Sequence, residues 1–186
     1  MALSIPLQRA GRIIRSGGVI AYPTEGVYGL GCLPRDEAAV LRILAIKRRD
    51  PAMGLILIAA DPGQLAEWVG AGVRIDELRS ASGKPVTWIV PSAPSVPYLL
   101  RGRNAGIAVR ITQHPVAAAL CRTAASAIVS TSANVSGRPP ARNIFVLRRL
   151  FGPLVDCVVP GRCGPASGAS EIRDWESDRI IRPADA

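Results

Sequence analysis

The stretch Ser130-Thr131-Ser132-Ala133-Asn134-Val135-Ser136-Gly137 follows the apolar run Ala127-Ile128-Val129, and the junction between them decides the fold class. The run is short, partly β-branched and bounded by polar residues, which reads as a buried strand. Its carboxyl end opens into a loop with four hydroxyls and one carboxamide in eight residues. In an open α/β sheet, ligands bind beyond the carboxyl ends of strands, and small hydroxyl residues with glycine let backbone N–H groups approach an anionic oxygen. That is phosphate-cradling chemistry. The same residue types also form ordinary loops bonded to their own backbone, and the stretch matches neither a Walker A nor a dinucleotide fingerprint, so both readings stay open on these residues alone.

Helices and strands alternate on either side. Ser4 and Pro6 open an amphipathic helix carrying Leu7, Ala10, Ile13 and Ile14, which Gly17-Gly18 closes. Val19 to Tyr22 reads as a strand running into the glycine-rich loop Pro23 to Gly31. Asp36 to Arg48 is a helix ending in Lys47-Arg48-Arg49, a cluster that by itself signifies a solvated helix C-terminus. Leu55 to Ala60, the most apolar run, suits a central strand, and a short helix follows around residues 62–69.

Pro85 to Pro91 and Gly106 to Ile111 are further strands. Arg110, among aliphatic residues in the second, needs an anionic partner, because an unpaired desolvated charge costs several kcal/mol. That partner is either an internal carboxylate or a ligand. His114-Pro115 opens a helix to Ala125, with His114 as a cap or packing residue; Arg142 to Phe151 is another helix and Val155 to Val159 a strand. Residues 160–170, rich in Gly, Pro and Ser, form a loop able to move over a site, and Ile180-Ile181 adds a last strand. This alternation, without repeats or a linker, indicates one α/β domain over 1–186, with 160–186 as a mobile C-terminal lid.

Composition narrows the partners. Lys plus Arg is 23 and Asp plus Glu 14, giving a net charge of +9, and only Lys47 and Lys84 are lysines. Arginine suits bidentate contact with phosphate and carboxylate, so an anionic partner such as a nucleotide or RNA is favoured. Cys32, Cys121, Cys157 and Cys163 form no C-x-x-C pair, and the single His114 leaves no second imidazole for a zinc site. No apolar segment is long enough for a membrane span, so a soluble cytoplasmic protein with free thiols is expected.

Several motifs occur in one order: Pro23-Thr24-Glu25 with Val27-Tyr28-Gly29-Leu30-Gly31, Lys47-x-Arg49 before Gly54 to Ile58, Pro85-Val86-Thr87, Ala108-Val109-Arg110 with His114-Pro115, Ser130 to Gly137, and Ser170 to Asp174 followed by Arg182. In these the chain resembles the YrdC-like family, and by length and tail its short bacterial members. The resemblance implies a strongly twisted mixed open sheet with helices on both faces around a basic cavity. It further implies synthesis of L-threonylcarbamoyladenylate and pyrophosphate from L-threonine, bicarbonate and ATP, with Mg²⁺, for a downstream complex that modifies tRNA next to the anticodon.

Carried over by position, Lys47 and Arg49 would hold ATP phosphates. Ser130, Ser132 and Asn134 would bind phosphates or ribose, and Ser170 and Arg182 would approach the nucleotide as the tail closes. Arg110 would hold the threonine carboxylate, with Thr24 also on the threonine side. No dedicated nucleophile or base is expected: Lys47, Arg49 and Arg110 would act by positioning and charge neutralisation.

The chain departs from the pattern at Gly26 and Ile58, where longer members carry threonine and histidine, at Met53, at Ala81-Ser82-Gly83-Lys84 and in the lid sequence Arg162-Cys163-Gly164-Pro165. Two other readings are an RNA-binding module without catalysis, disfavoured by 4% aromatic content, and a YrdC-like paralogue with another carbamoyl or acyl substrate. Weak RNA contact beside catalysis is compatible with the charge.

Overall fold

Short runs of branched aliphatic residues become strands here because each can bury alternate side chains under helices on opposite faces of one sheet. The computed structural model describes residues 4–79, 84–166 and 168–184. In chain order the strands are β1 (Ile20–Pro23), β2 (Tyr28–Gly31), β3 (Ile56–Ala59), β4 (Val86–Pro91), β5 (Gly106–Ile111), β6 (Ile128–Ser132), β7 (Cys157–Val158), β8 (Glu171–Asp174) and β9 (Ile180–Arg182). The helices are α1 (Ile5–Arg15), α2 (Glu37–Lys47), the single turn α3 (Tyr98–Arg101), α4 (Pro115–Ala124) and α5 (Ile144–Phe151).

The strands form one mixed sheet in the order β7-β1-β2-β6-β3-β5-β4-β8-β9. The pairs β1–β7, β3–β5 and β4–β8 are parallel. The other neighbours run antiparallel. On one face Ile20, Tyr22, Ile58 and Ile128 pack with Ile14 of α1 and Ala117 and Leu120 of α4. On the other, Leu57, Val109 and Val129 pack with Val40, Ile43 and Leu44 of α2. Leu30 joins Leu147 and Phe151 of α5 in a third cluster. Helices therefore cover both faces, as the sequence implied.

Three segments differ from the sequence reading. Residues 28–31, read as part of a glycine-rich loop, form β2, because their glycines allow close approach to β1 and β6. A Cβ at Gly31 would lie 2.6 Å from the Val129 carbonyl oxygen and 2.9 Å from the Tyr22 ring. Residues 171–174 form β8, in which Ile172 is the one apolar residue and all four positions are half-buried, as suits a strand next to a sheet edge. The short helix expected near 62–69 is a 3-10 turn over Pro62–Leu65. Residues 81–83 of the Ala81-to-Lys84 departure lie outside the described residues.

Helix α2 decides where three consecutive basic residues go. Its N-cap Asp36 accepts a bond from Ala39 N at 2.9 Å. At its far end Arg48 takes a left-handed conformation, φ 50°, and Arg49 N bonds back to Leu44 O. This sharp exit turns Lys47 inward, leaves Arg48 exposed and points Arg49 along the sheet. No described helix is long and apolar enough to cross a membrane. The four thiols are free.

Candidate active-site cleft

Beyond the ends of α1 and α4 one face of the sheet is uncovered, and there a cleft of about 360 Å³ opens, within the range of small-molecule sites. Its floor follows from strand register. Ile56 pairs with Ala108 on one side and with Ser130 on the other, so the three side chains share a face with Arg110, two residues along β5. Arg49, Arg101, Arg110 and Arg182 line the cleft, and among the described residues Glu25 is its one carboxylate. Thr24, Ser130, Ser132 and Ser170 also face it, whereas Lys47 and Asn134 are not among its walls.

Lys47 lies beneath the loop. Only 2% exposed, it donates from Nζ to Ser132 O at 2.5 Å, Asn134 O at 2.9 Å and Asn134 Oδ1 at 2.9 Å. All three ammonium protons are spent on the loop. Ser136 N completes the attachment by bonding to Lys47 O at 2.9 Å. Ser132 Oγ donates to Asn134 Oδ1 at 2.7 Å, and Asn134 Nδ2 donates to Arg138 O at 2.7 Å. Burial, then the neighbouring Arg49 charge, push the Lys47 pKa down to about 8.

Arg49 spends Nε and one Nη on Gly54 O, at 3.1 and 3.0 Å. Gly54 adopts φ 66°, and a Cβ there would lie 2.8 Å from the Leu100 and Arg101 carbonyl oxygens, so only glycine offers the carbonyl in this place. Burial, and then the charge of Arg182, lower the Arg49 pKa. Arg182 Nη2 donates to Ser170 O at 2.8 Å. Ser170 Oγ and Thr87 Oγ1 share a buried hydrogen bond of 2.7 Å, tying the tail strands to β4.

Arg110 is 8% exposed. It meets Glu25, with Nη2 3.5 Å from Oε2. Glu25 Oε1 accepts from Thr112 Oγ1 at 2.6 Å and from Gln113 N at 3.1 Å. Burial by itself would raise the Glu25 pKa, but the Arg110 charge, then the Thr112, own-backbone and Gln113 N–H bonds, hold it below its ordinary value. Thr24 Oγ1 donates to Val27 O at 2.7 Å. Sequence reasoning gave Glu25, Thr87 and Thr112 no role. A signal for Glu25 existed, as it is the sole charge between Ser16 and Pro34.

Residues 161–166 and 168–169 cross the cleft as a strap. Gly164 N bonds to Thr24 O at 2.9 Å and Ala166 N to Glu25 O at 3.0 Å. Tyr28 Oη donates to Gly161 O at 2.5 Å, and His114 Nε2 bonds to Arg162 O at 3.1 Å, so His114 holds the strap. A Cβ on Gly26 would lie 2.2 Å from Gly168 O and 3.0 Å from Ala166 O. Of the remaining departures, Met53 lines the cleft and is exposed, while Ile58 is wholly buried in the core.

The Sua5/YciO/YrdC family model, described as telomere recombination, matches residues 12–184. The chain belongs to this family. A threonylcarbamoyl-AMP synthase of Nitrosococcus oceani is 51% identical over 176 residues, covering 93% of this chain and 95% of the relative. The crystal structure of P. abyssi Sua5 complexed with L-threonine superposes with a TM-score of 0.87 at 29% identity, over 96% of this chain and 54% of that one. The chain thus spans just over half of that longer Sua5. T. kodakarensis HypF shares the fold, with a TM-score of 0.80 at 19% identity, over 99% of this chain and 25% of that one. Within the Sua5/YciO/YrdC family this chain has glycine at position 26, and that glycine brings the strap backbone against the cleft.

Lys47→Met leaves Asn134 O without a donor and takes one of two donors from Ser132 O and Asn134 Oδ1, which keep Asn134 N and Ser132 Oγ. One unsatisfied buried acceptor costs about 1–3 kcal/mol, so the ligand-free protein should melt at a lower temperature. A higher melting temperature would mean that relief of the buried charge prevails. The folded pKa of about 8 lies below the ordinary 10.5. The unfolded chain therefore holds this proton longer, and the group's drag on stability, full below pH 8, lifts as pH rises towards 10.5. Over the same interval one loop donor is lost, so ATP affinity should fall in wild type while Lys47→Met stays flat, read by titration across pH. Gly26→Ala should displace the strap and speed its limited proteolysis; an unchanged digestion pattern would separate Gly26 from strap packing.

Proposed function

We propose that this cleft makes L-threonylcarbamoyladenylate and pyrophosphate from L-threonine, bicarbonate and ATP, for threonylcarbamoyladenosine modification of tRNA. The observation that carries the reading is the crowding of Arg49 and Arg182 at one end of a cleft whose floor bears Arg110. Like charges held together in a partly buried place call for a polyanion, and four arginines against one carboxylate supply a field for triphosphate and carboxylate. The names of the relatives and the threonine-bound Sua5 structure support the same assignment.

In this reading the threonine amine condenses with bicarbonate, losing water, to give a carbamate. A carbamate oxygen attacks the α-phosphorus of ATP, and pyrophosphate leaves with its electron pair. Arg49 and Arg182 neutralise the phosphates, Ser130, Ser132 and Ser170 bind phosphate or ribose oxygens, and Arg110, with Thr24 beside it, holds the threonine carboxylate. Lys47 and Asn134 act from below by fixing the loop. Positioning and charge stabilisation carry the rate. Among the described residues no group of three His, Cys, Asp or Glu side chains comes together, so Mg²⁺ would arrive on the ATP phosphates, where it supplies charge neutralisation. The whole chain works as one unit with 160–186 as its lid, in the cytoplasm, passing its product to a tRNA-modifying complex, with RNA contact at most weak.

The test is pyrophosphate release from ATP and bicarbonate with and without L-threonine, with mass detection of the adenylate. Threonine-dependent product is expected; ATP binding without it would favour the paralogue, and salt-sensitive RNA binding without ATP binding would favour the RNA module. Arg49→Ala should abolish most synthesis in a folded protein. Arg110→Ala should weaken threonine use more than ATP binding, and equal loss of both would make Arg110 structural.

A further inference from the structure

The pairing of Arg110 with Glu25 is incomplete in a way that points to a ligand. The two charged groups face each other at 3.5 Å, yet no hydrogen bond joins them. Arg110 Nε and Glu25 Oε2 are both buried and without a hydrogen-bond partner. A buried ion pair repays its desolvation only when geometry is good and the remaining donors and acceptors are satisfied. Here a donor on the cation and an acceptor on the anion are both left over, on two facing residues that line the cleft.

Glu25 is nevertheless firmly placed. Thr112 Oγ1 and Gln113 N hold Oε1, and the strap bonds to its carbonyl through Ala166 N. With its pKa held low it remains an anion at neutral pH. A carboxylate anchored by one oxygen, with the other unpaired beside a guanidinium, is matched to a ligand bearing a cation and an anion on adjacent atoms. An α-amino acid zwitterion has that layout.

We propose that Glu25 and Arg110 form one zwitterion clamp, in which Glu25 Oε2 accepts from the ammonium of the amino-acid substrate while Arg110 takes its carboxylate. The ligand inserts between the two side chains, exchanging one loose ion pair for two charge-assisted ones. Glu25 also counters the positive field of the four arginines at the point where a cation must enter. It is a binding residue and not a base: its lowered pKa suits holding the ammonium, and the proton leaves to solvent before the amine reacts. The assignment rests on the amino-acid reading of the cleft given above and adds to it the group that recognises the amine.

The test compares L-threonine with (3R)-3-hydroxybutyrate, the same molecule without its amine, by calorimetric titration of wild type and Glu25→Gln. Glutamine keeps an oxygen for Thr112 and Gln113, and a melting curve checks the fold. Wild type should bind threonine about ten- to a hundredfold more tightly than hydroxybutyrate, the range of one charge-assisted hydrogen bond. Glu25→Gln should erase that difference while binding hydroxybutyrate at least as well as wild type does. Equal wild-type affinity for the two ligands, a comparison that needs no variant, would overturn the clamp. So would loss of both ligands by one factor in Glu25→Gln. Either result leaves the synthase reading intact. Wild type that ignores threonine but binds another α-amino acid through Glu25 would overturn the threonine reading and keep the clamp; wild type that binds no α-amino acid would overturn both.

Discussion

The buried ammonium of Lys47 is the contact on which the site depends. It closes the end of α2 onto the loop after β6 by donating to three oxygens of residues 132 and 134. A neutral side chain of the same length could fill the space but not satisfy those acceptors, and a solvated lysine would not reach them. Everything else in the cleft is arranged from that joint: the αL turn at Arg48 follows it, Arg49 is thrown over the sheet by that turn, and Ser130 and Ser132 are presented along the floor. A basic cluster at a helix end, ordinarily a surface feature, is here divided residue by residue between interior, solvent and site.

The sheet order gives the same region its charge. Because β6 lies between β2 and β3, with β5 beyond, the hydroxyl-bearing end of β6 and the Arg110 position of β5 share one face. The tail then returns as β8 and β9 next to β4, carrying Ser170 and Arg182 to the cleft's other side. The glycines of β2 permit the narrow spacing that packs these strands. No single segment makes the site; the turn at Thr24 and Glu25, the end of α2, β5, β6 and the tail each bring a part of it.

Much of this was legible because it rests on local pattern. Apolar runs gave β3, β5 and β6, and capping residues gave α1, α2 and α4 to within about two residues. What escaped has a physical cause. β2 has glycines where strands usually have branched side chains, so its pairing depends on neighbours that local pattern does not contain. β8 carries a single apolar residue, Ile172, among three charged ones, so it has no hydrophobic pattern of its own to read. At the site, residue types were readable but directions were not: nothing in Lys47-Arg48-Arg49 says which of the three is buried, since that depends on a single left-handed residue. Arg110 required an anion on energetic grounds alone, and Glu25 was identifiable as that anion only once residues 25 and 110 were seen to meet.

The strap is held almost wholly through main-chain atoms: two backbone pairs to Thr24 and Glu25, and two carbonyls taken by Tyr28 and His114. A closure made this way is insensitive to which side chains the strap carries and sensitive to its length and to the room beneath it. Its sequence can therefore drift while its path is kept, so long as position 26 stays small. The unusual Arg162-Cys163-Gly164-Pro165 segment is then no anomaly but a sample of that latitude, and the information for shutting the cleft resides mostly in the wall that the strap lies on.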